Sequence, residues 1–370
     1  MWFRLPFLGC RARSPEVLFV DDAVPSDLAG QGQPRAALFL ASLVELGARV
    51  TVLPTLPNQE ARTRVRSSVP VSLTRPHRSV VKTFKRYARK ADIVIISRPS
   101  NMARFSPVWE RIRPKGVRLV YDAEAIFAYR ETVRQQLLGV DDGIDVGREL
   151  ETELGIARTA DVVLAVNADE AGAFKGANCR DVRVLGYASH YGVAPADFQA
   201  RQGFLFVGPI YGPDTPNGDS IEFFTERVWP AVRQALPGVE LTLAGHSHDS
   251  VPALVDGVVK SGAIEDLGSI YSQARVFIAP TRFAAGIPLK VLDAAAAGIP
   301  VVMTSLLAAQ LGWRNGVEAI VADTPEDFAR GCIELYSDQE KWLSIRENAL
   351  ARIKTDHTFE KFKDVIRSLI

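Results

Sequence analysis

The segment Arg282-Phe-Ala-Ala-Gly-Ile-Pro-Leu-Lys-Val-Leu-Asp-Ala-Ala-Ala-Ala-Gly-Ile-Pro-Val-Val302 constrains the fold more than any other stretch of the chain. It follows a compact apolar run, Val276-Phe-Ile-Ala279, closed by Pro280. Such a run reads as a buried strand, the alanine-rich stretch as a helix, and Gly298-Ile-Pro300 as a turn into a second strand. Gly286 permits a close approach of backbone to a ligand. Pro288 suits the first turn of a helix, where its missing N–H costs little. A helix N-terminus after a strand favours a phosphate, because its free N–H groups and dipole attract negative charge. Lys290 adds a full positive charge. The segment therefore predicts a diphosphate cradle at the carboxyl end of a strand, where open α/β sheets bind ligands.

A chain of 370 residues is too long for one typical core, so two domains are expected. A net charge of +1 gives no global attraction to nucleic acid or membrane, and electrostatic partners must come from local clusters. Cys10, Cys179 and Cys332 lie far apart, without metal-ligand or disulfide spacing, which fits a reducing cytosol. No apolar run is long enough to span a bilayer. Phe7-Leu-Gly-Cys10 faintly resembles a lipoprotein cleavage site, but Arg4 and Pro6 interrupt the apolar stretch, so Met1–Cys10 reads as a disordered lead-in before the first strand.

The first half alternates strands and helices. Glu16–Val20, Arg49–Leu53, Ala91–Ile96, Val117–Tyr121 and Asp161–Val166 read as strands, with helices over Pro34–Leu46, Ala123–Leu138 and Arg148–Thr159. The second half repeats the scheme. Phe204–Gly208, Glu240–Gly245, Val276–Ala279 and Gly316–Val321 are strands, and Ser220–Leu236, Leu267–Ala274, Pro325–Tyr336 and Gln339–Ile353 are helices. This pattern predicts an α/β fold of two Rossmann-like domains facing across a cleft. The expected boundaries are 1–198 for the first domain and 199–354 for the second, with a C-terminal helix over 355–370 packing back on the first.

Gly203–Gly208, Pro216-Asn217, Trp229-Pro230, Val239–Gly245, Gly262–Leu267 and Val276–Val302 occur in an order and spacing that resemble the donor domain of GT-B glycosyltransferases, specifically the retaining family 4. The first half is similar more weakly, through Phe19-Val-Asp-Asp22, the Gly30/Gly32 loop, Tyr121-Asp-Ala-Glu124 and Ala160-Asp-Val162. The resemblance implies transfer of a sugar, with retention, from a nucleotide-diphosphate sugar to a glycan, lipid-linked or protein acceptor. The donor would lie on the second domain and the acceptor on the first. It implies no metal and no cofactor, since helix N-termini and basic side chains stabilise the leaving diphosphate.

On this resemblance, Lys290 and the backbone of Gly286, Ile287 and Leu289 hold the diphosphate, and Lys290 joins Asp122 as a catalytic residue. The bland alternative for Lys290 is a solvated helix lysine. Asp293 takes the place of the second glutamate of the family's E-x7-E motif and would meet the donor ribose. The first glutamate falls at Ala285, whose methyl group cannot hydrogen-bond a sugar. The loop after Gly208 lacks the family's usual cations but keeps Asn217, which moves the phosphate load to Lys290, backbone N–H groups and Arg282 or Arg35. Gly30 and Gly32 would let the first loop close on the donor, and His246 and His248, after the strand end at Gly245, either touch the sugar or the base or are surface-loop histidines. Ile264 marks the segment on which the family lays the base. Tyr121-Asp122 ends a strand facing the cleft; Tyr121, on the acceptor side with Glu124, replaces a histidine, which leaves Asp122 and Glu124 as the polar groups there. Asp122 is either a base for the acceptor proton or the N-cap of the helix that follows.

Residues 61–90 hold ten Lys/Arg and no Asp/Glu. Within them, Ser79–Lys90 places Val80, Val81, Phe84, Tyr87 and Ala88 at helical spacing. Such a helix either contacts an anionic membrane from the cytoplasmic side or packs on the core with a solvated basic face. No nucleic-acid module accompanies the charge. The overall expectation is a cytoplasmic, metal-independent glycosyltransferase. The alternatives are a non-catalytic GT-B scaffold, motivated by Ala285 and Tyr121, and a nucleotide-sugar epimerase on the same fold.

Overall fold

The computed structural model describes residues 13–25, 33–56, 70–74, 79–139, 143–189, 197–246, 255–262, 264 and 267–370. Cys10, Gly30, Gly32 and His248 lie outside the described residues.

Two parallel sheets organise the chain. The first contains β1 (Glu16–Asp21), β2 (Arg49–Pro54), β3 (Ser72–Leu73), β4 (Ile93–Ser97), β5 (Arg118–Asp122), β6 (Val162–Ala165) and β7 (Val182–Val184). Their spatial order is β3-β2-β1-β4-β5-β6-β7. The second contains β8 (Gln202–Val207), β9 (Leu241–Ala244), β10 (Val258–Gly262), β11 (Ala274–Ala279), β12 (Val301–Met303) and β13 (Ile320–Val321), in the order β10-β9-β8-β11-β12-β13. Each sheet reverses its strand order once, between β1 and β4 and between β8 and β11. Those switch points open crevices at the carboxyl ends of the strands, and both crevices border the same cleft.

Helices cover both faces of each sheet, so the central strands are apolar without alternation. Every residue of β4 is buried. One face of the first sheet packs Leu18, Val94 and Leu119 with Phe84 and Phe105, whose rings stack at 4.5 Å. The other face packs Phe19 and Ile95 with Phe39. That second cluster is completed by the end of the chain. The helix Phe359–Arg367 brings Phe362 and Ile366 onto it, and the Leu369 carbonyl accepts a hydrogen bond from Arg118 at 2.9 Å. The chain thus crosses between the domains twice, and the crossings touch where His357 Nδ1 lies 3.0 Å from the Tyr187 carbonyl.

Three local features position the second domain's strand ends. The helical run from Pro216 to Ala235 contains a π-helical stretch, Phe224–Val228. Pro230, just beyond it, has no N–H to return to the preceding turn, which favours a local widening of the helix. Arg201 is fully buried and donates to the carbonyls of Tyr271, Ala274 and Ala297, tying the ends of two helices to the start of β11. Gly245, at φ +131°, lies against Gly208 so closely that a Cβ would sit 2.6 Å from the Gly208 carbonyl oxygen. Gly245→Ala therefore drives backbone into backbone. We expect it to cost about 2 kcal/mol or more, read as a lower urea midpoint with an unchanged slope.

The helix Val80–Ala88 resolves one of the sequence expectations. Thr83, Phe84 and Ala88 are buried, and Val80, Val81 and Tyr87 pack on the same core cluster. Its apolar face is used inside the domain, and Lys82, Arg86, Arg89 and Lys90 are exposed. Among the described residues no helix is long and apolar enough to cross a membrane.

Candidate functional site

A cleft of about 800 Å³ separates the two domains. From the first domain it is bordered by Asp22 after β1, Arg98 after β4 and Glu124 after β5. From the second it is bordered by Asn217, by Ala285 and Gly286 of the β11 loop, and by Tyr211 after β8. These positions follow from the parallel sheets, because loops at the carboxyl ends of all the central strands converge on one side.

On the second-domain wall, β11 runs into the loop 280–288, and a helix begins at Leu289. Gly286 takes φ +91°, and a Cβ there would lie 3.0 Å from the Glu124 carbonyl oxygen across the cleft. Glycine at this position therefore lets the two domains meet. Lys290 lies in the first turn. Its ammonium donates to the Asn217 side-chain oxygen and sits 4.4 Å from the centre of the Phe206 ring. Asn217 in turn donates to the Pro209 carbonyl at 2.8 Å, so the oxygen facing Lys290 is fixed in place. Burial lowers the Lys290 pKa from 10.5 to about 7. Among the described residues no carboxylate forms an ion pair with it. A desolvated ammonium over an aromatic ring, with one neutral oxygen as partner, is arranged to accept an anion.

The first-domain wall carries a buried ionic network. Arg98 Nε donates to Asp21 at 2.8 Å, and Arg98 Nη1 lies 3.1 Å from Glu124 Oε2. Asn101 donates to Asp22 at 3.0 Å and to the Ser97 carbonyl at 3.0 Å. Arg98 and Glu124 both have positive φ, at 76° and 57°, which is costly for non-glycine residues and is sustained here by the surrounding pairs. Glu124 Oε1 is buried without a hydrogen-bond partner. Its carboxyl group is held well above the usual range by burial and then by Asp21, with Arg98 opposing. Glu153, on the helix Val146–Ala157, also borders the cleft; desolvation raises it to about 7 against the N–H groups of Ala128 and Phe127. Glu170 is raised by burial while the N–H groups of Ile126 and Gly286 oppose the shift, which places it beside the β11 loop.

The structure separates the expected site residues into groups. Asn217, Glu124, Gly286, Ile287 and Leu289 border the cleft together, with Lys290 directly behind Asn217. Ala285 borders it as an apolar wall. Leu289 N–H is already taken by the Ile287 carbonyl at 2.9 Å, which removes it as a free donor. Asp293 accepts from Ser189 Oγ at 2.9 Å, across the domain boundary. Gly245 serves strand-end packing, His246 is exposed with its ring 5.9 Å from that of Tyr211, and Ile264 packs against the domain core.

Three expectations are corrected. Tyr121 does not face the cleft. The pleat of β5 turns it into the core, 1% exposed, edge-on to Phe174 at 6.3 Å. Asp122 is neither a helix N-cap nor open to an acceptor. The next helix starts at Phe127, capped by Ile126, and Asp122 is fully buried in a two-pronged pair with Arg35 at 2.9 and 3.0 Å. Arg35 also donates to the Leu185 and Gly186 carbonyls, so both members are committed to holding the fold. Arg282 pairs with the buried Asp219 and lies over the Phe223 ring, away from the cleft. Arg98, Glu153 and Glu170 were not singled out in sequence. The helix after Arg98 has Pro107 inside it and begins Pro-Ser-Asn, a pattern that reads as loop.

Comparison with known proteins fits this geometry. Residues 201–338 match the family model described as Glycosyl transferases group 1. The structure is similar to that of HepE from Anabaena, solved with UDP and glucose, with a TM-score of 0.72 at 16% identity over 96% of this chain and 99% of that one. It is also similar to sucrose-phosphate synthase from Thermosynechococcus elongatus, with a TM-score of 0.70 at 15% identity, covering 96% and 98% of the two chains. A 44.6 kDa protein in the cps region of Klebsiella pneumoniae is 27% identical over 168 residues, which is 42% of this chain and 43% of that relative. The architecture is GT-B: two Rossmann-like α/β domains facing across a cleft.

Proposed function

We propose that the protein is a glycosyltransferase of the retaining type, moving a hexosyl group from a nucleotide-diphosphate sugar to an acceptor hydroxyl. The observation that carries this reading is Lys290, a desolvated ammonium in the first turn behind the β11 loop, without a carboxylate partner, at the strand-end crevice of a GT-B domain. An arriving diphosphate supplies the missing negative charge. As the bond from the anomeric carbon to the diphosphate breaks, charge grows on the leaving phosphate, and Lys290 with the Ile287 backbone N–H stabilises it. The acceptor oxygen bonds to the anomeric carbon on the face that the diphosphate leaves, and its proton passes to the departing phosphate oxygen. HepE, which was solved with UDP and glucose, supports a nucleotide-sugar as donor. The relative in a cps region supports a role in polysaccharide biosynthesis.

Asp293 is the ribose contact in this reading, since its carboxylate stands one helical turn beyond Lys290. Ala285 shifts recognition of the sugar away from a carboxylate at that place and onto backbone and first-domain groups. The cation needed for the leaving group is Lys290 itself, so transfer proceeds without a metal.

A thermal-shift screen against nucleotides and nucleotide-sugars tests the reading, because a ligand that binds only the folded state must raise the midpoint. A nucleoside diphosphate at about 100 times its dissociation constant should stabilise by roughly 2.7 kcal/mol. The shift, and the release of nucleoside diphosphate during turnover, should persist in excess EDTA. Absence of a shift with every nucleotide would remove the proposed donor site, and loss of turnover in EDTA would return a metal to the mechanism.

A further inference from the structure

The first turn of the helix Pro216–Phe223 meets the β11 loop at both of its ends. At the start of the loop, Ser220 Oγ lies 3.2 Å from Thr281 Oγ1. Asp219 pairs there with Arg282, whose guanidinium lies over the Phe223 ring. At the far end, where the next helix begins, the Asn217 side-chain oxygen receives Lys290 Nζ. Three residues of one turn therefore bracket the loop that carries Gly286 and Ile287. The local sequence shapes this turn. Thr215 caps it, accepting from the Gly218 N–H at 3.1 Å and donating to the Gly212 carbonyl at 2.7 Å. Gly218 leaves room for that carbonyl, since a Cβ there would lie 1.9 Å from the Gly212 oxygen.

Asp219 and Ser220 are buried, whereas Asn217 borders the cleft. Both ends of its amide are engaged. The nitrogen donates to the Pro209 carbonyl at 2.8 Å, and the oxygen faces the ammonium. These partners fix the amide's orientation, because a carbonyl only accepts and an ammonium only donates. A carboxylate in this place would hold the lysine as closely but would cancel its charge. It would also set its second oxygen against the Pro209 carbonyl. Resting on the reading of Lys290 as the diphosphate cation, we infer that Asn217 is a positioning residue that aims Lys290 Nζ at the ligand without neutralising it. The uncharged state of position 217 is therefore a requirement for donor binding. Asp219 and Ser220 hold the other end of the loop from the same turn, which keeps the loop backbone and the ammonium in register.

The test titrates the full chain with UDP, ADP and GDP by calorimetry and carries the tightest binder through the variants. Asn217→Asp changes the side chain by one atom and should lower affinity at neutral pH by about 100-fold. Its carboxylate should also keep Lys290 protonated, so the fall in affinity between neutral and alkaline pH should disappear. Asn217→Ala keeps the lysine's charge and removes its tether. Affinity should drop about tenfold, with the wild-type fall at alkaline pH retained. In a Lys290→Met background, Asn217→Ala should cause no further loss, which a merely structural role or a direct contact with the ligand would not produce. Urea midpoints show whether each variant is folded, and the alanine series decides alone if Asn217→Asp does not fold. The inference is overturned if folded Asn217→Asp keeps the wild-type affinity and pH profile, or if Asn217→Ala costs the same factor with and without Lys290. If none of the nucleoside diphosphates binds the wild type, the donor-site reading itself has failed, and that result appears before any variant is made.

Discussion

Lys290→Met is expected to lower kcat/KM for sugar transfer by roughly 10²- to 10³-fold while leaving a cooperatively folded protein. The substitution keeps the unbranched stem beside Phe206 and removes the charge. It should also relieve the cost of burying an ammonium in the ligand-free protein, so stability should hold or rise. The same residue sets a pH dependence with a definite sign. In the free protein the Lys290 pKa is about 7, lowered from 10.5 by burial. A bound diphosphate favours the charged form and raises that pKa, so binding takes up a proton once the free lysine has lost it. Affinity for a nucleoside diphosphate should therefore be greatest near neutral pH. It should then fall by about tenfold per pH unit above 7 until the pKa of the complex is reached. Titration calorimetry from pH 7 to 9 would show the decline in the wild type and a flat profile in Lys290→Met. A variant that keeps wild-type affinity with the wild-type profile would remove Lys290 from the site.

Much of this arrangement was readable from the chain, and what escaped has common physical causes. The run Val276–Ala279, the glycine loop and the helix after Pro288 are local features, and the structure shows β11, the 280–288 loop and a helix from Leu289 in that order. The structure places Lys290 in the first turn of that helix, where the residues around it in sequence put it, but the groups that surround its ammonium, Asn217 and Phe206, are far away in sequence. Tyr121 was misread because helices cover both faces of the sheet, so both parities of β5 are buried: Tyr121 packs on Phe174, Asp122 pairs with Arg35, and only the loop beyond the strand end reaches the cleft. Asp122 and Arg282 were misread because their partners, Arg35 and Asp219, lie 87 and 63 residues away. Arg98 was missed because it precedes a helix interrupted by Pro107 and takes a positive φ that only its three carboxylate neighbours make tolerable. Residues that act through local sequence were legible; those that act through long-range pairing were not.

Asp122→Ala is expected to be the most destabilising single change in the first domain. It leaves the Arg35 guanidinium, 2% exposed, facing a cavity instead of a carboxylate. Removing one member of such a buried pair typically costs about 3–5 kcal/mol, because the remaining charge has neither water nor counterion. Arg35 would keep its bonds to the Leu185 and Gly186 carbonyls, but neutral acceptors do not compensate a full charge. Those carbonyls belong to the segment by which the chain leaves the first domain, so the pair also fixes the direction of the first crossing. Adding Arg35→Met to Asp122→Ala removes the stranded charge and should recover much of the lost stability. Urea unfolding of the two single variants and the double variant would give the coupling directly. The same set separates structure from chemistry. If Asp122 acts by holding Arg35, transfer activity should follow the folded fraction and return in the double variant. If its carboxylate were the base for the acceptor, the double variant would be stable and inactive. With both carboxylate oxygens bonded to Arg35 and no exposed surface, the first outcome is the expected one.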